Sequence, residues 1–218
     1  MPKKGSTRIK RRQRLSRERV LESALLLADA DGLGSVSMRN LAQALGVEAM
    51  SLYNHVANKD DLLDGMVDRI FAEIELPETG DWRQRMRERA LSARRVLSLH
   101  PWAIGLLDSR GAPGPATLRH HDWVIGVLRN NGFSLEMTAH AFAVLDSFIY
   151  GFVVQESALL SNELPEHARE IVNNLPAEQY PHLAELTRDY ILQTGYDFSD
   201  SFEFGLDLVL DGLDPSKG

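Results

Sequence analysis

Apolar residues recur along this chain at three- and four-residue intervals, and no stretch alternates as a half-buried strand does, so the pattern predicts helices throughout. A first helix is expected over 16–30, with Val20, Ala24, Leu27 and Ala28 on one stripe, Ser16 as N-cap and Gly32 past its end. A second runs from Ser37 to Leu45, with Leu41, Ala44 and Leu45 inward, and Gly46 stops it. A short third covers about 48–55. A fourth is capped by Asn58 and continues through Leu62, Met66, Ile70 and Phe71 to about Ile74, with Asp60 and Asp61 at its positive end. Pro77-Glu-Thr-Gly80 breaks the chain. Asp81 caps the next helix, with Gln84 placed for a capping box. Its arginines (Arg83, Arg85, Arg87, Arg89) read as a mostly solvated face. Further helices are expected after Pro101, over 116–131, over 135–160 behind Ser134, near 166–175, over 183–193, and from Ser199 or Asp200 through Leu213. The expected fold is all-α, with about ten helices. The 135–160 helix is apolar almost all round, which means burial on several sides. Either a domain centre or a subunit interface shared with the last helix would do this. The interface is the favoured reading, using Leu145, Phe148, Phe152, Phe202, Leu206, Val209 and Leu210.

Composition narrows the classes. The 218 residues are 44% hydrophobic and 25% charged, which suits a globular chain. Cysteine is absent, so disulfide frameworks, thiolate metal sites and cysteine nucleophiles are excluded. No uninterrupted apolar run approaches the roughly 18 residues of a membrane span, and Glu22 and Asp29 interrupt any N-terminal signal-like stretch, so a cytoplasmic location without membrane contact is expected. Net charge is −7, yet residues 1–60 hold eleven Lys/Arg against six Asp/Glu, and the rest holds thirteen against twenty-five. A basic head on an acidic body suggests that one end meets a polyanion.

The basic end carries a candidate for that contact. The second helix, Gly46 and the short third helix have helix-turn-helix spacing, with Leu41, Leu45, Val47 and Leu52 placed to lock the pair. Glu48, Ala49, Met50, Ser51, Tyr53, Asn54 and His55 then fall outward or partly outward, where they reach base edges and phosphates, and Lys59 is placed for a phosphate.

The stretch Val36-Ser-Met-Arg-Asn-Leu-Ala-Gln-Ala-Leu-Gly-Val47, with Ser51-Leu-Tyr-Asn-His-Val56 and Lys59-Asp-Asp-Leu-Leu63, strongly resembles the N-terminal domain of the tetracycline-repressor (TetR) family. His100-Pro101 and Asn131-Gly-Phe-Ser-Leu-Glu136 resemble, more weakly, the subgroup with a tetracycline-repressor-like C-terminal domain. The resemblance implies a basic arm over 1–15, a DNA-binding domain over 16–76 and an effector-binding and dimerisation domain over 77–218. It also implies a homodimer that represses from a palindromic double-stranded operator and is released by a small molecule. The DNA contacts it implies are Ser37 and Arg39 to phosphate and base, Ala49, Met50 and Ser51 to bases, Tyr53 and His55 to phosphate with Asn54 between them, and Lys59 to the backbone. Arg39 suits guanine O6/N7, and Ala49 and Met50 suit a thymine methyl. The arm, taken as Lys3 to Arg19, either adds phosphate attraction, which is favoured, or enters a minor groove.

For the effector, apolar walls with few polar groups single out Trp102, Leu106, Leu107, Arg110, Trp123, Val127, Phe142, Asp146, Tyr150 and Gln155. Asp146, inside an apolar helix, is either a ligand contact or a carboxylate satisfied by a partner such as Arg89. Approximate alignment places Leu107 at the family's magnesium-binding His, Gln155 at a nearby acid and Arg89 at a drug-contacting Asn. Magnesium–tetracycline is therefore not the expected effector, and no metal or cofactor is expected. Activation, or dependence on a corepressor, is the alternative within the family. Two rivals come from other classes. An enzyme lacks support, because His120-His121-Asp122 are helix neighbours that do not share a face and no Walker A loop or nucleophile elbow is present. A helical interaction protein without DNA binding leaves the basic head unexplained.

Overall fold

The computed structural model of the chain describes residues 14–107, 113–160, 170 and 174–216, and every regular element among them is helical. In chain order these are α1 (Arg17–Asp31), α2 (Met38–Leu45), α3 (Ala49–Leu52), α4 (Lys59–Glu73), α5 (Trp82–Leu99), α6 (Ile104–Leu107), α7 (Pro115–Asn130), α8 (Leu135–Leu160), α9 (Pro181–Leu186) and α10 (Asp200–Gly212). The backbone divides into two compact units between Met66 and Val67, so α4 contributes its first half to one and its second half to the other. The expected 1–15 arm, apart from its last two residues, Arg110 of the candidate effector set and most of the expected 166–175 helix lie outside the described residues.

In the N-terminal unit the core is built from Val20, Ala24, Ala28, Leu41, Leu52, Val56 and Leu62. Ser16 Oγ accepts from Arg19 N, and Gly32 ends α1 with a positive φ. Two details differ from the sequence reading. Ala42 rather than Ala44 turns inward on α2, because the eight-residue helix buries the face one step around from the expected stripe. The expected third helix is only one turn long, since Tyr53–His55 turn off the axis to meet α4.

The C-terminal unit packs α5, α7 and α10 around α8. Ser134 Oγ caps α8 at Met137 N, 3.1 Å away. By length and composition α8 is apolar enough to cross a membrane, although charged residues interrupt its apolar runs. Its acids argue for a core helix instead, since Asp146 and Glu156 are buried in ion pairs with Arg89 and Arg94 of α5. Phe148, Phe152 and Phe202 form one ring cluster between α8 and α10, with Phe198 stacked on Phe152 at 4.8 Å. Gly205 makes this approach possible, because a Cβ there would stand 2.7 Å from Phe148 Cε2.

The arginine face of α5 is not left to solvent. Glu203, Asp207 and Asp211 recur every fourth residue on α10, and Arg87 pairs with the first two while Arg83 pairs with the third. Arg85 lies over the Trp123 ring and donates to the Pro77 carbonyl, and Arg89 is buried. The sequence showed the arginines without the helix that answers them. At the start of α5, Asp81 Oδ1 accepts from Gln84 N at 2.9 Å, but the Gln84 amide turns to Glu88, so the capping box is half formed. The expected 183–193 helix is instead α9, beginning at Pro181, followed by a wider turn over Thr187–Ile191. Ser199 precedes α10 without a side-chain cap, and its N–H donates to Asp197 Oδ1.

Candidate nucleic-acid interface and effector site

Local rules build the N-terminal site. Ser37, in extended backbone, accepts from Asn40 N at 3.1 Å and starts α2. Asn40 Nδ2 donates to the Ser35 carbonyl at 2.8 Å, which ties the entry to the preceding turn. Gly46 takes φ 65 and ψ 40, the left-handed conformation that lets α2 stop and α3 leave in a new direction. Val47 N closes the turn on the Ala42 carbonyl. Leu52 and Val56 then anchor the far side of α3 in the core.

This anchoring leaves a continuous set of groups outward. Arg39, Ala49, Met50, Tyr53, Asn54 and Lys59 are exposed, and Ser37, Ser51 and His55 are half-buried. Met50 is 75% exposed. Neither the Tyr53 hydroxyl nor the His55 imidazole has a hydrogen-bond partner among the described residues, so each is available as a donor. All nine sequence-selected positions thus lie in the first unit, and each is at least partly exposed. Sequence reasoning missed Arg17, which it counted with the basic arm. Arg17 instead turns inward onto the His55 carbonyl and the Asp61 carboxylate.

The selected effector residues are brought together only in part. Arg89 is 1% exposed, and its Nη2 donates to Asp146 Oδ1 at 2.7 Å. The Tyr150 hydroxyl donates to Asp146 Oδ2 at 3.2 Å. Arg89 Nε donates to His120 Nε2 at 3.0 Å, which places the imidazole proton on Nδ1. Burial, with the Arg89 charge beside it, lowers the His120 pKa to about 2, so the ring is neutral at ordinary pH. Its Nδ1 is buried without a partner. Phe71 packs on His120 and His121, and Phe142 meets His121 edge to face at 5.3 Å. The centre of this cluster is therefore Arg89, His120, Asp146 and Tyr150, walled by Phe71 and Phe142.

Trp123 lies under Arg85, and Gln155 is exposed because it lies on the outward side of α8. Leu106 and Val127 are buried, and Trp102 and Leu107 are half-buried. Phe71 and the two histidines were read only as a core residue and as a rejected metal cluster, and their place here was missed because they come from α4 and α7. Neighbouring histidines do point differently, yet their rings lie 5.7 Å apart with Phe71 against both. Among the described residues no three His, Asp or Glu side chains gather as a metal site would require.

The seven residues selected for a subunit interface are already packed within the chain. Leu145, Phe152, Phe202, Leu206 and Leu210 are buried, and Phe148 and Val209 are half-buried. Phe148, Phe152 and Phe202 join α8 to α10, and α5, α7 and α10 cover most of the circumference of α8. Exposed instead are Phe204 (69%) and Leu208 (60%) on α10, and Val144, Ser147, Gly151 and Val154 along one stripe of α8.

Comparison with known proteins places these units. Residues 20–66 match the family described as bacterial regulatory proteins, tetR family, and residues 75–216 match the tetracyclin repressor-like C-terminal domain. The chain is 32% identical over 208 residues to an HTH-type transcriptional regulator of Saccharopolyspora erythraea, covering 94% of this chain and 86% of that protein. It is 32% identical over 213 residues to the HTH-type transcriptional repressor DrrR1 of Streptomyces coeruleorubidus, covering 92% of this chain and 77% of that protein. The crystal structure of the TetR family protein ActR of Streptomyces coelicolor in complex with actinorhodin superimposes with a TM-score of 0.75 at 30% identity, covering 92% of this chain and 97% of that one. With a helix-turn-helix unit, an all-helical second unit and relatives named as regulators and repressors, this chain belongs to the TetR family of ligand-responsive, DNA-binding transcriptional repressors.

Proposed function

We propose that the protein represses from a palindromic operator as a homodimer and is released by an aromatic or lipophilic small molecule other than magnesium–tetracycline. The observation that carries the DNA reading is the outward set on α2, α3 and the following turn. Arg39, Ala49, Met50 and Ser51 face bases, and Ser37, Tyr53, His55 and Lys59 hold phosphates, with Asn54 beside them. A base-reading helix this short covers one half-site. Two copies about 34–36 Å apart read a two-fold site.

The exposed stripes support the dimer. Phe204 and Leu208 lie one turn apart on α10, and the small or apolar stripe on α8 would let a second copy pack closely. Exchanging both α10 residues for glutamate (Phe204→Glu with Leu208→Glu) should yield a helical monomer in sedimentation and abolish operator binding. A variant that remained dimeric would overturn this interface.

For the effector, the charges at the centre of the cluster already balance, because Arg89 and Asp146 pair and His120 is neutral. An apolar ligand with aromatic surface suits the walls of Phe71, Phe142 and the imidazoles. Leu107, Gln155 and Arg89, standing where magnesium–tetracycline recognition needs other groups, argue against that drug. Release requires an effector that binds the DNA-incompetent arrangement more tightly. The continuous helix α4, which carries Lys59 at one end and Phe71 near the other, is the element both sites would bias. A DNA-bound repressor resides in the cytoplasm.

A further inference from the structure

Nine of the first nineteen residues are Lys or Arg, and by composition alone each is a candidate phosphate contact. Arg17 does not behave like one. Its Nη1 donates to the His55 carbonyl and to Asp61 Oδ2, both at 3.0 Å, and its Nη2 donates to Asp61 Oδ1 at 2.6 Å and to the Asp61 carbonyl at 3.4 Å. Four internal acceptors occupy a fork that a phosphate would otherwise use. The same Asp61 carboxylate accepts from Ala57 N at 2.7 Å, and the Asp61 N–H donates to Asn58 Oδ1 at 2.9 Å. The turn 53–58 is thus held at its carbonyl, at its amide and at its exit into α4. Gly65 leaves room first for Leu21, whose Cδ2 would stand 2.7 Å from a Cβ there, and then for Arg17 Nη2 at 3.2 Å. Pairing raises the Arg17 pKa and lowers that of Asp61, so both stay charged at ordinary pH.

This turn joins the groups assigned above to phosphates: Tyr53 and His55 lie on it, and Lys59 follows it. It also places a carboxylate, Asp61, two residues from Lys59, where an unpaired negative charge would oppose DNA. We propose that Arg17 is a positioning residue for operator recognition: by bridging the His55 carbonyl and Asp61 it fixes the turn bearing Tyr53, His55 and Lys59 and masks the Asp61 charge, without itself contacting DNA. The proposal rests on the DNA reading of that surface.

The bridge has a signature separate from that of a phosphate contact. Removing a phosphate contact weakens specific and non-specific binding together and lowers the salt slope by about 0.9. Removing a positioning residue lowers the ratio of specific to non-specific affinity and leaves the slope nearly unchanged. The full-length protein is titrated with its selected operator and with an unrelated duplex across a salt series, below the melting temperature of every variant. Arg17→Gln should lower operator affinity at least about tenfold, with non-specific affinity within about threefold and the slope retained. Arg17→Lys keeps the charge but cannot fork, and should still lower the ratio. Asp61→Asn should resemble Arg17→Gln, and the double variant should cost little more than the worse single one. Lys59→Gln should lower the slope and both affinities. A slope drop near 0.9 in Arg17→Gln with equal losses on both duplexes would make Arg17 a phosphate contact and overturn the proposal. So would an unchanged operator affinity, or a loss on both duplexes in proportion to a smaller folded fraction. A wild-type protein that selects no sequence would overturn the DNA reading, and this proposal with it.

Discussion

The two units place their charged groups in opposite ways. In the N-terminal unit Arg39 and Lys59 are exposed around a small aliphatic core, and what the sequence leaves outward is what we propose meets DNA. In the C-terminal unit Arg89 and Asp146 are buried and Arg94–Glu156 nearly so, and what the sequence hides is what shapes the interior. A surface that docks on a polyanion spends charge on affinity and salt dependence. A buried pair adds little net stability, but breaking it leaves one charge stranded. Substitutions in the two units should therefore fail by different assays.

The sharpest break in that comparison is Arg89→Met. It strands Asp146 beside Tyr150 and should cost about 3–5 kcal/mol in urea unfolding, with a lower melting temperature before any DNA is added. A cost below 1 kcal/mol would mean that the cluster is wetter than its burial indicates.

The next effect is pH. The folded-state pKa of His120 lies below its unfolded value of about 6.5, so its contribution to stability is complete above pH 6.5 and is lost progressively as pH falls toward 2. Between pH 6.5 and pH 5 the loss from this group should reach about 2 kcal/mol. The difference between wild type and His120→Gln in urea midpoint should shrink over that range. A difference independent of pH would show that the imidazole titrates normally.

Gly205→Ala tests the α8–α10 approach. The added methyl meets the Phe148 ring and should cost about 1–3 kcal/mol. Stability unchanged within 0.5 kcal/mol, the usual range of a neutral surface substitution, would show that the ring moves aside freely. Smallest in stability, though not in function, is Arg39→Ala. It should leave unfolding within about 0.5 kcal/mol of wild type and cost about 1–3 kcal/mol of operator affinity at one base position. A change in stability alone would move Arg39 from the interface to the fold.

The parts of this fold legible from sequence are those with local causes. Ser16, Ser37, Asp81 and Ser134 cap the helices they were read to cap, and Gly46 ends α2, because a cap and its partner lie within four residues. The outward or partly outward placement of the residues selected between Ser37 and Lys59 was legible for the same reason, since a tight turn fixes which side its residues take. Partners distant in the chain were not legible. Arg89 meets an acid 57 residues away, Arg17 one 44 residues away, and Arg83 and Arg87 meet acids more than a hundred residues away. A helical period shows that a face is charged and does not show whether another helix covers it. The same gap hid how α8 is covered. Its apolar circumference was read as burial on several sides, by a domain centre or a subunit interface, and α5, α7 and α10 supply most of that cover, leaving Phe204 and Leu208 as the large apolar residues exposed on α10.

The most direct test of the account is selection of bound sequences from a random duplex pool by the purified full-length protein. The account predicts enrichment of a two-fold symmetric site whose half-sites are centred about one helical turn apart, with binding that weakens steeply as salt rises. Enrichment of no sequence, or binding indifferent to salt, would contradict it.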